Sequence, residues 1–120
     1  MPLKPDWKSK DNRIRLFQGD CTEVIKKLPN YDLIFADPPF NIGQNYSGYH
    51  DSIDWKDYVT FTHNWIWACW QHLSPTGVMA LHGPDNLVEL YLDLSRSFKM
   101  SRIACICPSV GSKGNESINV

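Results

Sequence analysis

The chain has 120 residues, 42% of them hydrophobic, with four cysteines and a net charge of −1 at neutral pH. That size and apolar content suit one domain with a modest core and argue against a second. The charge balance argues against holding a polyanion by bulk electrostatics alone. With no apolar run long enough for a membrane span or a secretory signal, the chain reads as cytoplasmic.

Residues 1–13 hold prolines and charges and are expected as an N-terminal arm. Lys4, Lys8, Lys10, Arg13 and Arg15 gather near it, diluted by Asp6 and Asp11. They read equally as a solvated surface or as phosphate contacts. "IRLFQ" (14–18) predicts a strand, "CTEVIKKL" (21–28) a short helix, and "YDLIFA" (31–36) a nearly all-apolar strand of a parallel sheet. The polar segment from Asn41 to Asp54 is long for a structureless connection and reads as a lid over a pocket. In that segment Asn41 reads as finishing the turn, with a share in shaping the pocket as the alternative, and Tyr46 and Tyr49 as partly buried fillers, with closure over the base as the alternative.

Residues 55–73 place Tyr58, Phe61, Trp65 and Cys69 on one helical stripe with Trp55, Val59, Ile66 and Trp70 beside it. The tryptophans at 55, 65, 67 and 70 are expected in the core and against the sheet. "SPTG" (74–77) reads as a turn, "VMALH" (78–82) as a strand, and 85–98 as a helix with Leu87, Leu90, Tyr91, Leu94 and Phe98 on one face. "SRIACIC" (101–107) reads as a further strand, and 108–120 as a flexible tail. The alternation predicts an α/β fold with an open, mostly parallel sheet of the doubly wound kind, binding ligands outside the carboxyl ends of its strands. Cys21, Cys69, Cys105 and Cys107 lack metal-ligand spacing and read as reduced thiols packed as small hydrophobes, so no metal site is expected.

"DPPF" (37–40) begins where the strand 31–36 ends, at that ligand edge. Pro38 and Pro39 stiffen the turn and remove two N–H donors, leaving carbonyl oxygens as acceptors. Such a turn suits a planar amine: Asp37 takes one N–H, the Pro38 carbonyl takes the other, and the Phe40 ring stacks on the base. Holding both hydrogens of an adenine or cytosine amine favours pyramidal geometry and aims the nitrogen lone pair at an electrophile.

The stretch "LFQGDCTEVIKKLPNYDLIFADPPFNIG", followed by "LSPTGVMALHG", resembles the N-terminal part of the amino-group DNA methyltransferases, the N6-adenine/N4-cytosine class. The resemblance implies a partial Rossmann-like methyltransferase fold over 14–107, S-adenosylmethionine as methyl donor, and DNA as substrate. It implies Asp37, Pro38, Pro39 and Phe40 as the catalytic motif around a flipped base. Gly19, Asp20 and Asp37 are implied to lie beside the cofactor, with Asp20 near its adenosine. Asp20 with Glu23 equally forms a helix N-capping pattern. The acidic form of the motif favours adenine N6 over cytosine N4, and a companion restriction endonuclease is an implied partner. RNA or a glutamine side chain is an alternative substrate, and a non-catalytic fragment or binding subunit an alternative role.

The family's glycine-rich F-x-G-x-G cofactor loop has no counterpart here, since the chain contains no G-x-G. Gly111 and Gly114 precede no apolar helix. The expectation is therefore a truncated methyltransferase whose bare sheet edges favour self-association. His82 stands at a strand end beside Gly83 and Pro84, with no role readable from sequence.

Overall fold

The computed structural model describes residues 3–43, 45–46 and 49–106. Strands β1 (Trp7–Lys8) and β2 (Arg15–Leu16) form a small antiparallel hairpin, Trp7 opposite Leu16 and Lys8 opposite Arg15. The strand expected over 14–18 thus pairs with the N-terminal segment and not with the parallel sheet. The turn decides this locally. Asn12 takes a positive φ of 58°, the Asp11 carboxylate accepts from Ser9 Oγ and the Arg13 N–H, and Asp6 accepts from the Gln18 N–H.

Helix α1 (Cys21–Ile25) is shorter than the 21–28 expected, and leads to strand β3 (Tyr31–Ala36). The segment beyond holds a two-residue antiparallel pair, β4 (Asn45–Tyr46) with β5 (Tyr49–His50). Helix α2 (Trp55–Gln71) follows, then strand β6 (Leu73–His82), helix α3 (Asp85–Ser97) and strand β7 (Ile103–Ile106). The "SPTG" turn lies inside β6 as an irregularity: Leu73 pairs with Tyr31, and the next pair is Val78 with Leu33. The turn residues loop out while the strand direction is kept.

Strands β3, β6 and β7 form a parallel sheet in that order. Parallel crossovers are right-handed as a rule, and two that step the same way put their helices on one face. Accordingly α2 and α3 bury Tyr58, Trp65, Ile66, Leu87 and Tyr91 against Met79 and Leu81 of β6, with Ile34, Ala36, Ile103 and Cys105 from the flanking strands. Alternation sends Leu33, Phe35, Val78 and Ile106 to the other face, where all four are exposed, Leu33 at 64%. The described residues therefore form a three-stranded parallel α/β sheet with helices packed on one face. Among the tryptophans expected in the core, Trp65 is buried and Trp70 half-buried, but Trp55 and Trp67 are exposed. Trp55 stacks on Tyr58 and Trp67 lies against Phe98, both outside the core because a single helix face cannot point every ring inward. Among the described residues, no helix is long and apolar enough to cross a membrane.

Candidate functional site

Ala36 of β3 pairs with Leu81 of β6, so Asp37, just beyond β3, and His82, the last residue of β6, stand side by side at the sheet's carboxyl edge. His82 Nδ1 lies 2.8 Å from Asp37 Oδ1. The imidazole also stacks with the Phe35 ring at 6.2 Å and meets the Phe40 ring, tilted, at 5.5 Å. Its backbone is held as well: Tyr91 Oη donates to the His82 carbonyl at 3.1 Å. Burial raises the Tyr91 hydroxyl's pKa well above that of an ordinary phenol, which keeps it a donor. Gly83 permits this approach, since a Cβ there would come within 3.0 Å of the Tyr91 side chain.

The proline turn is clamped from behind. Tyr58 Oη of α2 donates to the Pro39 carbonyl at 2.6 Å, so of the two carbonyls expected to be free this one is not. A fully buried phenol needs an acceptor, and the turn supplies it. The Pro38 carbonyl has no hydrogen-bond partner among the described residues. Downstream, the turn is tied by Asp51, which is 2% exposed and accepts from the N–H groups of Asn41 and Ile42. Asn41, in the left-handed region at φ 59°, exchanges side-chain hydrogen bonds with the backbone of Ile53.

Behind Asp37 lies a cavity of about 570 Å³ whose walls include Gly19, Cys21, Val24, Phe35, Asp37 and Pro38. The structure thus brings Gly19, Asp37, Pro38 and Pro39 to one cavity; Asp20 and Phe40 are not in its lining. Gly19 has φ 149°, and a Cβ there would sit 3.2 Å from the Val24 side chain. Asp20 caps α1: Oδ1 accepts from the Thr22 N–H at 2.8 Å and from Thr22 Oγ1 at 2.6 Å. These bonds, the hydroxyl's first, hold its carboxyl below the ordinary range. The Cys69 thiol, also in the wall, is pushed up to about 12 by burial, the nearby Cys21 adding to the effect. Phe40 is half-buried against the core beside His82.

Three contributors went unread in the sequence: the His82 ring, the Tyr58 hydroxyl and the Asp51 carboxylate. Only His82 left a signal. "ADPPF" and "ALHGP" both follow an apolar strand, and setting Ala36 against Leu81 aligns Asp37 with His82. The side chains of Tyr46 and Tyr49, together with Cys107 and residues 108–120, lie outside the described residues.

The family model described as DNA methylase, of N6/N4 type, matches residues 31–111. The chain is 38% identical over 91 residues to the type II methyltransferase M.BamHI of Bacillus amyloliquefaciens, covering 71% of this chain and 22% of that protein. It is 36% identical over 86 residues to M.HpaI of Haemophilus parainfluenzae, covering 67% and 27%. Against the DNA adenine methyltransferase YhdJ of Escherichia coli K12 it is 32% identical over 102 residues, covering 80% and 34%. The chain therefore spans about a fifth to a third of the length of these relatives. No solved structure matches significantly.

Proposed function

This chain belongs to the DNA methylases of N6/N4 type, and we propose that it carries the site that transfers a methyl group from S-adenosylmethionine to the exocyclic amine of a base flipped out of DNA, adenine N6 by preference. The observation that carries the reading is the acceptor pair at the sheet's carboxyl edge. Asp37 is 62% exposed, with one oxygen held by His82 and Oδ2 without a partner among the described residues; the Pro38 carbonyl likewise has none there.

The cavity behind Asp37 fits a cofactor of this kind. Its volume falls in the range of small-molecule sites, its walls are mostly apolar, and a side chain at Gly19 would press on Val24 in the same wall. Gly19 and Asp37 would hold it from the lining, with Asp20 next to Gly19 in the chain. When bound, S-adenosylmethionine would supply an activated methyl group as the electrophile, the S–CH3 bond breaking to leave S-adenosylhomocysteine as the N–CH3 bond forms and the surplus amine proton passing to solvent.

The protein's own contribution is orientation. Asp37 Oδ2 accepts one amine hydrogen and the Pro38 carbonyl accepts the other, which localises the nitrogen lone pair and aims it at the methyl group. The rigid turn, with Pro39 tied to Tyr58, prevents these acceptors from drifting. Phe40 offers a ring against which the extruded base stacks, offsetting a flipping cost of about a few kcal/mol. The full fold that accompanies this chemistry is a doubly wound, Rossmann-like sheet, and the exposed Leu33, Phe35, Val78 and Ile106 mark the face its second helical layer covers.

On the DNA side, Lys8 opposes Arg15 across the β1–β2 pair. Like charges so placed repel and favour an anionic partner. Asp6 and Asp11 reduce the local positive charge, but neither forms an ion pair with Lys8 or Arg15, since their carboxylates accept from the hairpin backbone. These cations serve as phosphate contacts in this reading, and a companion restriction endonuclease would be protected against by the methylation. The choice of adenine is supported by the relative whose name specifies it. Incubation with DNA and methyl-labelled cofactor, followed by digestion to nucleosides, tests the proposal: N6-methyladenine is expected, N4-methylcytosine would correct the base, and no methylated nucleoside would oppose it.

A further inference from the structure

We propose that His82 is a positioning residue for the methyl transfer, donating from Nδ1 to Asp37 Oδ1 so that the other carboxylate oxygen faces the amine. This rests on the function proposed above but on a separate geometric fact, the 2.8 Å contact between the two side chains. An ionised carboxylate only accepts, so the contact requires the proton on Nδ1. Left alone, an exposed aspartate turns easily about its terminal torsion, which is broad and roughly two-fold. A second hydrogen bond is what selects one orientation.

His82 is built to supply that bond. Its ring is only 26% exposed and is bracketed by Phe35 and Phe40. Its carbonyl is held by Tyr91, itself fully buried, and the β3–β6 register brings it beside Asp37. The chain thereby links the core of α3 to the carboxylate at the sheet edge through one imidazole. Because Phe40 touches the same ring, His82 also sets the distance between the stacking platform and the acceptor.

The experiment has two arms, so that failure of the function and failure of this inference are told apart. First, long-range ¹H–¹⁵N spectra of the full chain labelled at histidine nitrogens report where the His82 proton resides. The expected result is a protonated Nδ1 in wild type that is lost on Asp37→Ala. A proton confined to Nε2 in wild type, or a signal unmoved by Asp37→Ala, overturns the inference.

Second, methyl transfer to DNA is measured for His82→Asn, His82→Phe and His82→Ala. Asn keeps an N–H donor close to the place of Nδ1, whereas Phe keeps the ring against Phe40 and removes the donor. We expect kcat to fall about 10- to 100-fold for Phe and Ala, with KM for both substrates within about twofold and most of kcat restored by Asn. Full activity in His82→Phe overturns the positioning role, as does an equal loss in all three variants. A folded wild type that transfers no methyl group contradicts the proposed function for this chain, and the inferred pairing is then decided by the spectra.

Discussion

Tyr58 and Pro39 are joined by a 2.6 Å hydrogen bond that ties the buried face of α2 to the back of the proline turn. Tyr58 is fully buried, so removing its hydroxyl strips the Pro39 carbonyl of its partner without opening a cavity. Tyr58→Phe is expected to cost about 1 kcal/mol in denaturant unfolding. If the turn's stiffness matters to transfer, kcat falls further than this stability loss alone would produce.

Asp20 separates a structural role from a binding one. Asp20→Ala removes the α1 cap and is expected to cost about 1 kcal/mol, while Asp20→Asn keeps a capping oxygen and most of the stability. A loss of cofactor affinity in both variants, by calorimetry, marks Asp20 as a contact as well as a cap. The pH dependence has a definite sign. Because its hydrogen bonds depress the Asp20 pKa in the folded chain, the stabilisation is complete above the unfolded carboxyl value of about 3.9 and is lost as pH falls through the depressed folded value. The group is nearly fully exposed, so the effect is small; Asp20→Asn should flatten this part of a Tm-versus-pH curve.

Two cysteines in the cavity wall give a footprint. Cys69 is buried with its pKa raised to about 12, so it should resist alkylation at pH 8. Cys21 is exposed, and although partial burial of its thiol and the Asp20 carboxylate raise its pKa as well, it should react before Cys69. Mass spectrometry of the alkylated chain is expected to find Cys21 modified, and S-adenosylmethionine to slow that modification by occupying the adjoining space.

The hairpin cations predict a salt effect. Lys8→Ala and Arg15→Ala should each weaken DNA binding at every sequence tested and lower the slope of log K against log salt by about 1. Unchanged slopes would return these residues to the role of a solvated surface.

The strand Tyr31–Ala36 and the helix Asp85–Ser97 were legible in the sequence, because a nearly all-apolar run and a 3.6-residue stripe of Leu87, Tyr91 and Leu94 each have one economical reading. Asn41's turn role was equally local and agrees with its positive φ and its bonds to Ile53. The pairing of Arg15–Leu16 was not legible, since a strand of two residues carries almost no periodicity and the Ser9–Asn12 turn decides its partner. The Asp37–His82 contact was hinted at by two apolar strands with polar ends but not fixed by them: it joins residues 45 positions apart and depends on the β3–β6 register, which the irregularity between Leu73 and Val78 resets. Asp51 looked like one more polar loop residue, and only its burial beneath the turn reveals it as the anchor of Asn41 and Ile42.

The most direct test of the central claim is incorporation of labelled methyl groups into DNA by the wild-type chain and by Asp37→Ala, side by side. Asp37 is exposed and contributes nothing to the core, so the substitution should leave the circular dichroism spectrum and the unfolding midpoint nearly unchanged. The account predicts incorporation by wild type and none above background by the variant. Undiminished incorporation by Asp37→Ala, or none by a wild-type chain shown to be folded, would contradict it.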